Sequence, residues 1–125
     1  GINEKFSRTL QLMFTPEFLQ NNPEYIENFK KRYMTAPIST HNTRRQFIAG
    51  IRQKTCPNIH EIKSPVLVVA GADDILIPPR NSRIIAERIP GAKLIKYEGA
   101  GHFFMAPKRK EFLADLTEFL KNEKG

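Results

Sequence analysis

The spacing of apolar residues changes near residue 64. Up to that point they return every three or four positions, the period of an amphipathic helix. Phe6, Leu10, Met13 and Phe14 form one such set, and Asn3 is the expected cap of a first helix. Thr15-Pro16-Glu17 has the composition of a helix start: a capping hydroxyl, Pro at the first helical position, then an acid in the first turn. Asn22-Pro23-Glu24 repeats that grammar and opens a helix with Tyr25, Ile26, Phe29, Tyr33 and Met34 on one face. Ala36-Pro37 is expected to stop it, because Pro disfavours helical backbone in the residue before it. A fourth helix is expected from Ser39 or Thr40, presenting Phe47, Ile48 and Ile51. No strand is expected before residue 64.

Beyond residue 64 the rhythm is different. Val66-Leu67-Val68-Val69-Ala70-Gly71 is a continuous apolar run without polar alternation. Strands of that kind are covered on both faces, as in parallel sheets. A polar loop, residues 72–79, leads to a helix expected to turn Ile84, Ile85, Ala86 and Ile89 inward, stopped by Pro90-Gly91. Lys93–Tyr97 is a second short strand, Gly99-Ala100-Gly101-His102 a tight turn. A last helix is expected from near Pro107, with Phe112, Leu113, Leu116, Phe119 and Leu120 on its core face. Residues 64–121 therefore read β-α-β-α, an α/β class with parallel strands and a right-handed crossover. Two parallel strands covered on both faces do not make a complete sheet. The chain is expected to be an incomplete domain whose neighbouring strands come from elsewhere.

Composition narrows the class. A chain of 125 residues, 40% hydrophobic and 26% charged, suits one folded unit and neither a disordered nor a fibrous protein. The longest apolar run, Val66 to Ala72, is far shorter than the roughly 20 residues that span a bilayer. No secretory signal is visible at the N-terminus, so no membrane association is expected. One cysteine, Cys56, allows no intrachain disulfide; it reads as a small, partly buried residue in a reducing compartment, with a cytoplasmic location expected. His41 and His60 have no ligand-like partners at helical spacing, so no metal is expected. The net charge is +7, of which residues 1–60 carry +5. The clusters Lys30-Lys31-Arg32 and Arg44-Arg45 could meet phosphates, but aromatic residues do not interleave with them as in a stacking surface. A solvated basic face is the better reading, and no nucleic-acid partner is expected.

Ligands and catalytic groups of open parallel sheets gather past the C-terminal ends of the strands. Asp74 lies three residues past Gly71, and His102 lies in the turn after the second strand. One helix joins the strands, so both loops emerge at the same sheet edge. An acid there can fix the tautomer of a histidine and stabilise its charged form. Taken singly, each is an ordinary loop residue, and Asp73 is the nearest competitor to Asp74.

The run Pro65-Val-Leu-Val-Val-Ala-Gly-Ala-Asp-Asp74-Ile-Leu-Ile-Pro78, the helix end Arg88-Ile-Pro-Gly-Ala92 and the turn Gly99-Ala-Gly-His102 resemble the C-terminal part of the α/β-hydrolase fold. Residues 12–19 and Asn22-Pro23-Glu24 are similar to the helical cap of its esterase-like and enol-lactonase-like members. The resemblance implies residues 1–60 as cap and 61–125 as the C-terminal core segment. It implies Asp74 as triad acid, because the family's acid stands three after the Gly, and His102 as triad base. It implies an ester or lactone as substrate and no cofactor. Met13, Phe14 and Phe103 are the expected substrate contacts; Phe6, Leu10, Phe29 and Tyr33 could share that role or simply pack the helices. Serines 7, 39, 64 and 82 lie outside any Gly-x-Ser-x-Gly elbow, so no nucleophile is expected in this chain. Catalysis would then require an upstream half as partner, and the isolated chain would be inactive. The other reading is a non-catalytic fragment or interaction module that completes its sheet by self-association into a homo-oligomer.

Overall fold

A computed structural model of the chain describes residues 1–35, 40–53 and 56–122, with the side-chain surroundings of Ile2, Thr40 and Cys56 not included. The stop at Ala36-Pro37, the start at Ser39 and the partial burial of Cys56 lie outside the described residues.

Four helices come first: α1 (Ile2–Met13), α2 (Pro16–Asn21), α3 (Pro23–Thr35) and α4 (Thr40–Arg52). Thr15 caps α2 as its position predicts, its hydroxyl accepting from the Phe18 N–H at 3.3 Å. Asn22 serves two helices at once. Its side-chain amide donates back to the Phe18 carbonyl at 2.9 Å, and its own carbonyl accepts the Ile26 N–H at 3.1 Å. Asn3 does not cap α1. The Gly1 carbonyl already accepts the Lys5 N–H at 3.1 Å, so Asn3 lies within the first helical turn and Gly1 holds the cap position.

Helices α1 to α3 are locked by aromatic rings. Phe6 packs on Phe29 and Tyr33; Phe14 packs on Phe18, Tyr25 and Phe29. Phe6 and Phe14 are buried. Helix α4 is different: Phe47, Ile48 and Ile51 share one side as predicted, yet Phe47 and Ile51 are 68% and 66% exposed.

A short 3-10 helix, Cys56–Glu61, leads into β1 (Leu67–Gly71), α5 (Pro79–Arg88), β2 (Lys93–Tyr97) and α6 (Arg109–Asn122). Among the described residues these are the two strands, and neither precedes residue 64. They pair in parallel, Leu67 opposite Lys93 through Gly71 opposite Tyr97. Gly91, at φ +74°, turns the chain between α5 and β2 in a conformation that favours glycine.

The core of this half is Tyr97, Ala100 and Phe104, with Val69, Ile95 and Phe112 packed against it. Tyr97 also donates its hydroxyl hydrogen bond to the Asp115 carboxylate at 2.8 Å, fastening α6 to the end of β2. Burial is thinner than the apolar patterns imply. Leu67, Val68 and Val69 are half-buried, and only Ala70 and Gly71 of β1 are buried. Ile85, Leu113 and Leu120, expected on core faces, are exposed. No described element covers those faces, and the second edge of β1 has no described strand beside it. This is an incomplete α/β domain. Among the described residues no helix is long and apolar enough to cross a membrane.

Candidate active site

The end of β1 and the turn after β2 press directly together. A Cβ on Gly71 would lie 2.1 Å from the Gly101 carbonyl oxygen and 2.4 Å from that of Ala100, so only glycine permits this approach. Backbone bonds stitch the two loops: the Ala72 N–H donates to the Tyr97 carbonyl at 2.9 Å, and the Asp73 N–H to the Ala100 carbonyl at 3.0 Å. Gly99, at φ +71°, makes the bend that returns the chain toward β1.

Asp74 and His102, 28 residues apart, meet across this junction. His102 Nδ1 lies 2.9 Å from Asp74 Oδ2. The other carboxylate oxygen, Oδ1, accepts the N–H groups of Leu76 and Ile77, both at 2.9 Å. Three hydrogen bonds thus fix a side chain only 7% exposed, while the imidazole is 36% exposed. An ionised carboxylate only accepts, so Nδ1 is the donor of this bond, and in a neutral ring the lone pair then falls on Nε2. An imidazole oriented in this way can act as a general base.

Asp73 plays another part. Its backbone bonds to the turn, but its side chain is exposed and lines a neighbouring cleft of about 1020 Å³. Phe14, Leu12, Pro16 and Leu19 form the helical wall of that cleft; Ile75, Gly99 and Gly101 face them. Of the three expected substrate contacts, Phe14 lines this cleft. Phe103 lines a second cleft, of about 430 Å³, with Tyr25 and Met105. Met13 offers its backbone, its carbonyl accepting the Phe103 N–H at 2.8 Å. Nothing in the sequence marks that bond, because any two residues can make it; nor are the Leu76 and Ile77 donors visible beyond the known habit of Asp to accept from residues just ahead.

His41 and His60 stand apart from the pair. Both are exposed, and His60 Nδ1 lies 2.9 Å from the Pro57 carbonyl. Among the described residues no group of three or more His, Cys, Asp or Glu could hold a metal ion. Among them, too, no serine hydrogen-bonds to His102, whose partner is Asp74.

The family model for the alpha/beta hydrolase fold matches residues 2–108. The chain belongs to the α/β-hydrolase fold family. This α/β-hydrolase chain is 37% identical over 79 residues to a poly(3-hydroxyalkanoate) depolymerase of Ectopseudomonas oleovorans, covering 63% of the chain and 28% of that protein. It is 29% identical over 105 residues to a 2-hydroxy-6-oxo-6-phenylhexa-2,4-dienoate hydrolase of Comamonas testosteroni, covering 84% of the chain and 32% of the relative. In structure it superposes on the enol-lactonase of Burkholderia xenovorans LB400 with a TM-score of 0.85 at 21% identity, over 97% of this chain and 45% of that one. The chain thus spans about a third or less of these curated relatives and under half of the solved enzyme.

Proposed function

We propose that this chain supplies the cap and the acid–base pair of an α/β-hydrolase acting on a small ester or lactone. In this reading residues 1–60 are the cap and residues 61–125 the C-terminal core segment, and an upstream half provides the nucleophilic serine. The observation that carries it is the 2.9 Å bond from His102 Nδ1 to a carboxylate whose other oxygen is already held by two backbone donors.

The chemistry follows from that geometry. His102 Nε2 takes the proton as the serine oxygen attacks the substrate carbonyl. Asp74 keeps the ring in the right tautomer and stabilises the imidazolium that forms. His102 then gives the proton to the departing alkoxide and a covalent acyl-enzyme remains. A water, deprotonated by the same nitrogen, attacks the acyl carbon, and the proton returns to the serine as the acid leaves. Phe14 would form part of the apolar wall of the acyl site, in the cleft it shares with Leu12, Leu19 and Ile75, and the cap would keep bulk water out.

The test is ester and lactone turnover by the chain assembled with an upstream half that bears a Gly-x-Ser-x-Gly elbow. His102→Ala and Asp74→Asn should each lower kcat by about 10⁴-fold. Turnover unchanged by His102→Ala would overturn the assignment.

A second reading rests on the open edge of β1 and the exposed Ile75, Ile77, Leu113 and Leu120. Two copies could complete one sheet, giving a non-catalytic oligomer. Native mass spectrometry separates the two. A mass that is an integer multiple of 14.4 kDa, with no ester turnover, favours self-association.

A further inference from the structure

His102 sits at a seam between the two halves. The residue after it, Phe103, joins the rings of the helical half, with centroids 5.7 Å from Phe14 and 6.1 Å from Phe29. The next residue, Phe104, joins the other group, 5.2 Å from Tyr97 and 5.4 Å from Phe112. The backbone is tied to the helical side as well. The Phe103 N–H donates to the Met13 carbonyl at 2.8 Å, and a Cβ on Gly101 would lie 3.0 Å from that same oxygen. Met13 ends α1, and Phe14 follows it, 4% exposed and in ring contact with Phe18, Tyr25, Phe29 and Phe103.

A hydrogen bond needs both ends placed. Asp74 is held at its end by two backbone donors. Among the described residues His102 has no equivalent: the side-chain partner of its ring is Asp74 itself. What places the ring is therefore the backbone of its turn, and that backbone is gripped from the core through Phe104 and from the helices through Phe103. We propose that Phe14 and Phe103, with the Met13 carbonyl, are positioning residues that hold the His102 backbone so that Nδ1 stays on Asp74. The docking of α1 then sets the alignment of the pair. A helical half that lifts away leaves the turn held from one side only, and His102 slackens. The consequence for catalysis rests on the acid–base role proposed above; the alignment itself does not.

The imidazole can be read directly. Nitrogen-15 NMR of the whole chain reports the tautomer of His102 and the exchange of its Nδ1 hydrogen with water. Phe103→Met removes the ring at nearly constant volume and keeps the fold. Phe14→Leu removes the partner ring. Both should speed exchange of that hydrogen by about three- to tenfold, the loss expected for the Phe14–Phe103 pair that the two variants have in common. Phe103→Tyr should restore the native rate. Phe6→Leu is the control: it removes a buried ring of the same helical cluster, one step away from Phe103, and should lower stability without moving the His102 signal. In the assembled enzyme Phe103→Met should lower kcat more than it changes KM. Unchanged exchange in both folded variants overturns the proposal, and so does an equal change in Phe6→Leu. Faster exchange without any ester turnover upholds the positioning role and overturns the hydrolase reading alone.

Discussion

In the helical half six rings, Phe6, Phe14, Phe18, Tyr25, Phe29 and Tyr33, lean on one another across α1, α2 and α3. In the strand half three rings pack together, and most of the precision comes from main chain: a five-residue parallel ladder and two loops pressed together at Gly71 and Gly101. Side-chain packing adapts, because rings can tilt and neighbours can shift by fractions of an ångström. Backbone against backbone cannot adapt that way. Asp74 is placed by the unyielding half, and in the positioning role proposed above His102 is steadied by the yielding one.

Substitutions at matched positions sharpen this contrast. The largest effect belongs to Gly71→Ala, whose new Cβ would meet two backbone oxygens that have nowhere to go. Destabilisation above about 4 kcal/mol is expected, measurable by urea unfolding, with loss of the His102–Asp74 bond. An effect under about 1 kcal/mol would show that the strand half yields after all. Next come Phe14→Ala and Phe104→Ala, one buried ring from each half. Each should cost about 3–5 kcal/mol. The helical half should recover part of its loss when Phe14 is replaced by Leu, because neighbouring rings can close over a smaller gap, and the strand half less so.

Tyr97 gives a pH-dependent version of the same comparison. Burial, and then its hydrogen bond to the Asp115 carboxylate, push its phenol up to about 12 from an ordinary value of 10. The fold therefore favours the protonated phenol. The stabilisation is complete below pH 10 and drains away as the pH rises from about 10 to 12, a total of about 3 kcal/mol. Unfolding curves at pH 8, 10 and 11 should show about half of that loss by pH 11, about 1.4 kcal/mol, in the native chain and not in Tyr97→Phe. A native chain equally stable at pH 8 and 11 would dismiss the link. The smallest effect is expected in α4. Phe47→Ser and Ile51→Ser should change the stability of the isolated chain by no more than about 0.5 kcal/mol, since both side chains are already mostly in water. A much larger drop would mean that α4 is covered in solution.

Much of the strand half is legible in the sequence alone. The unbroken run Val66–Gly71 has one good solution, a strand beside another strand, and Pro90-Gly91 and Gly99 mark the two turns where φ is positive or the chain must reverse. The helical starts at Pro16 and Pro23 are equally plain, since a polar residue followed by Pro and an acid suits almost no other structure, although the Thr15 hydroxyl caps its helix while the Asn22 side chain turns back to the Phe18 carbonyl. Side-chain facing was less legible. Ile85, Leu113 and Leu120 carry the periodicity of core positions but are exposed, because periodicity records what a helix would bury and not whether a neighbour is present. Asn3 misled for a related reason: a good capping residue cannot cap when the residue before it has already begun the helix.

The order of the elements, the parallel pairing and the closeness of Asp74 to His102 follow from local rules: a β-branched run, turn residues at fixed places, and a single connecting helix that puts both loops at one edge. Those rules act over a few residues, so the chain carries them by itself. Which oxygen of Asp74 faces His102, how closely Gly71 meets Gly101, and that Phe103 and Phe104 turn to opposite halves are long-range matters. They depend on atoms brought together from α1, β1 and the turn after β2, and only the closed packing of those three elements decides them.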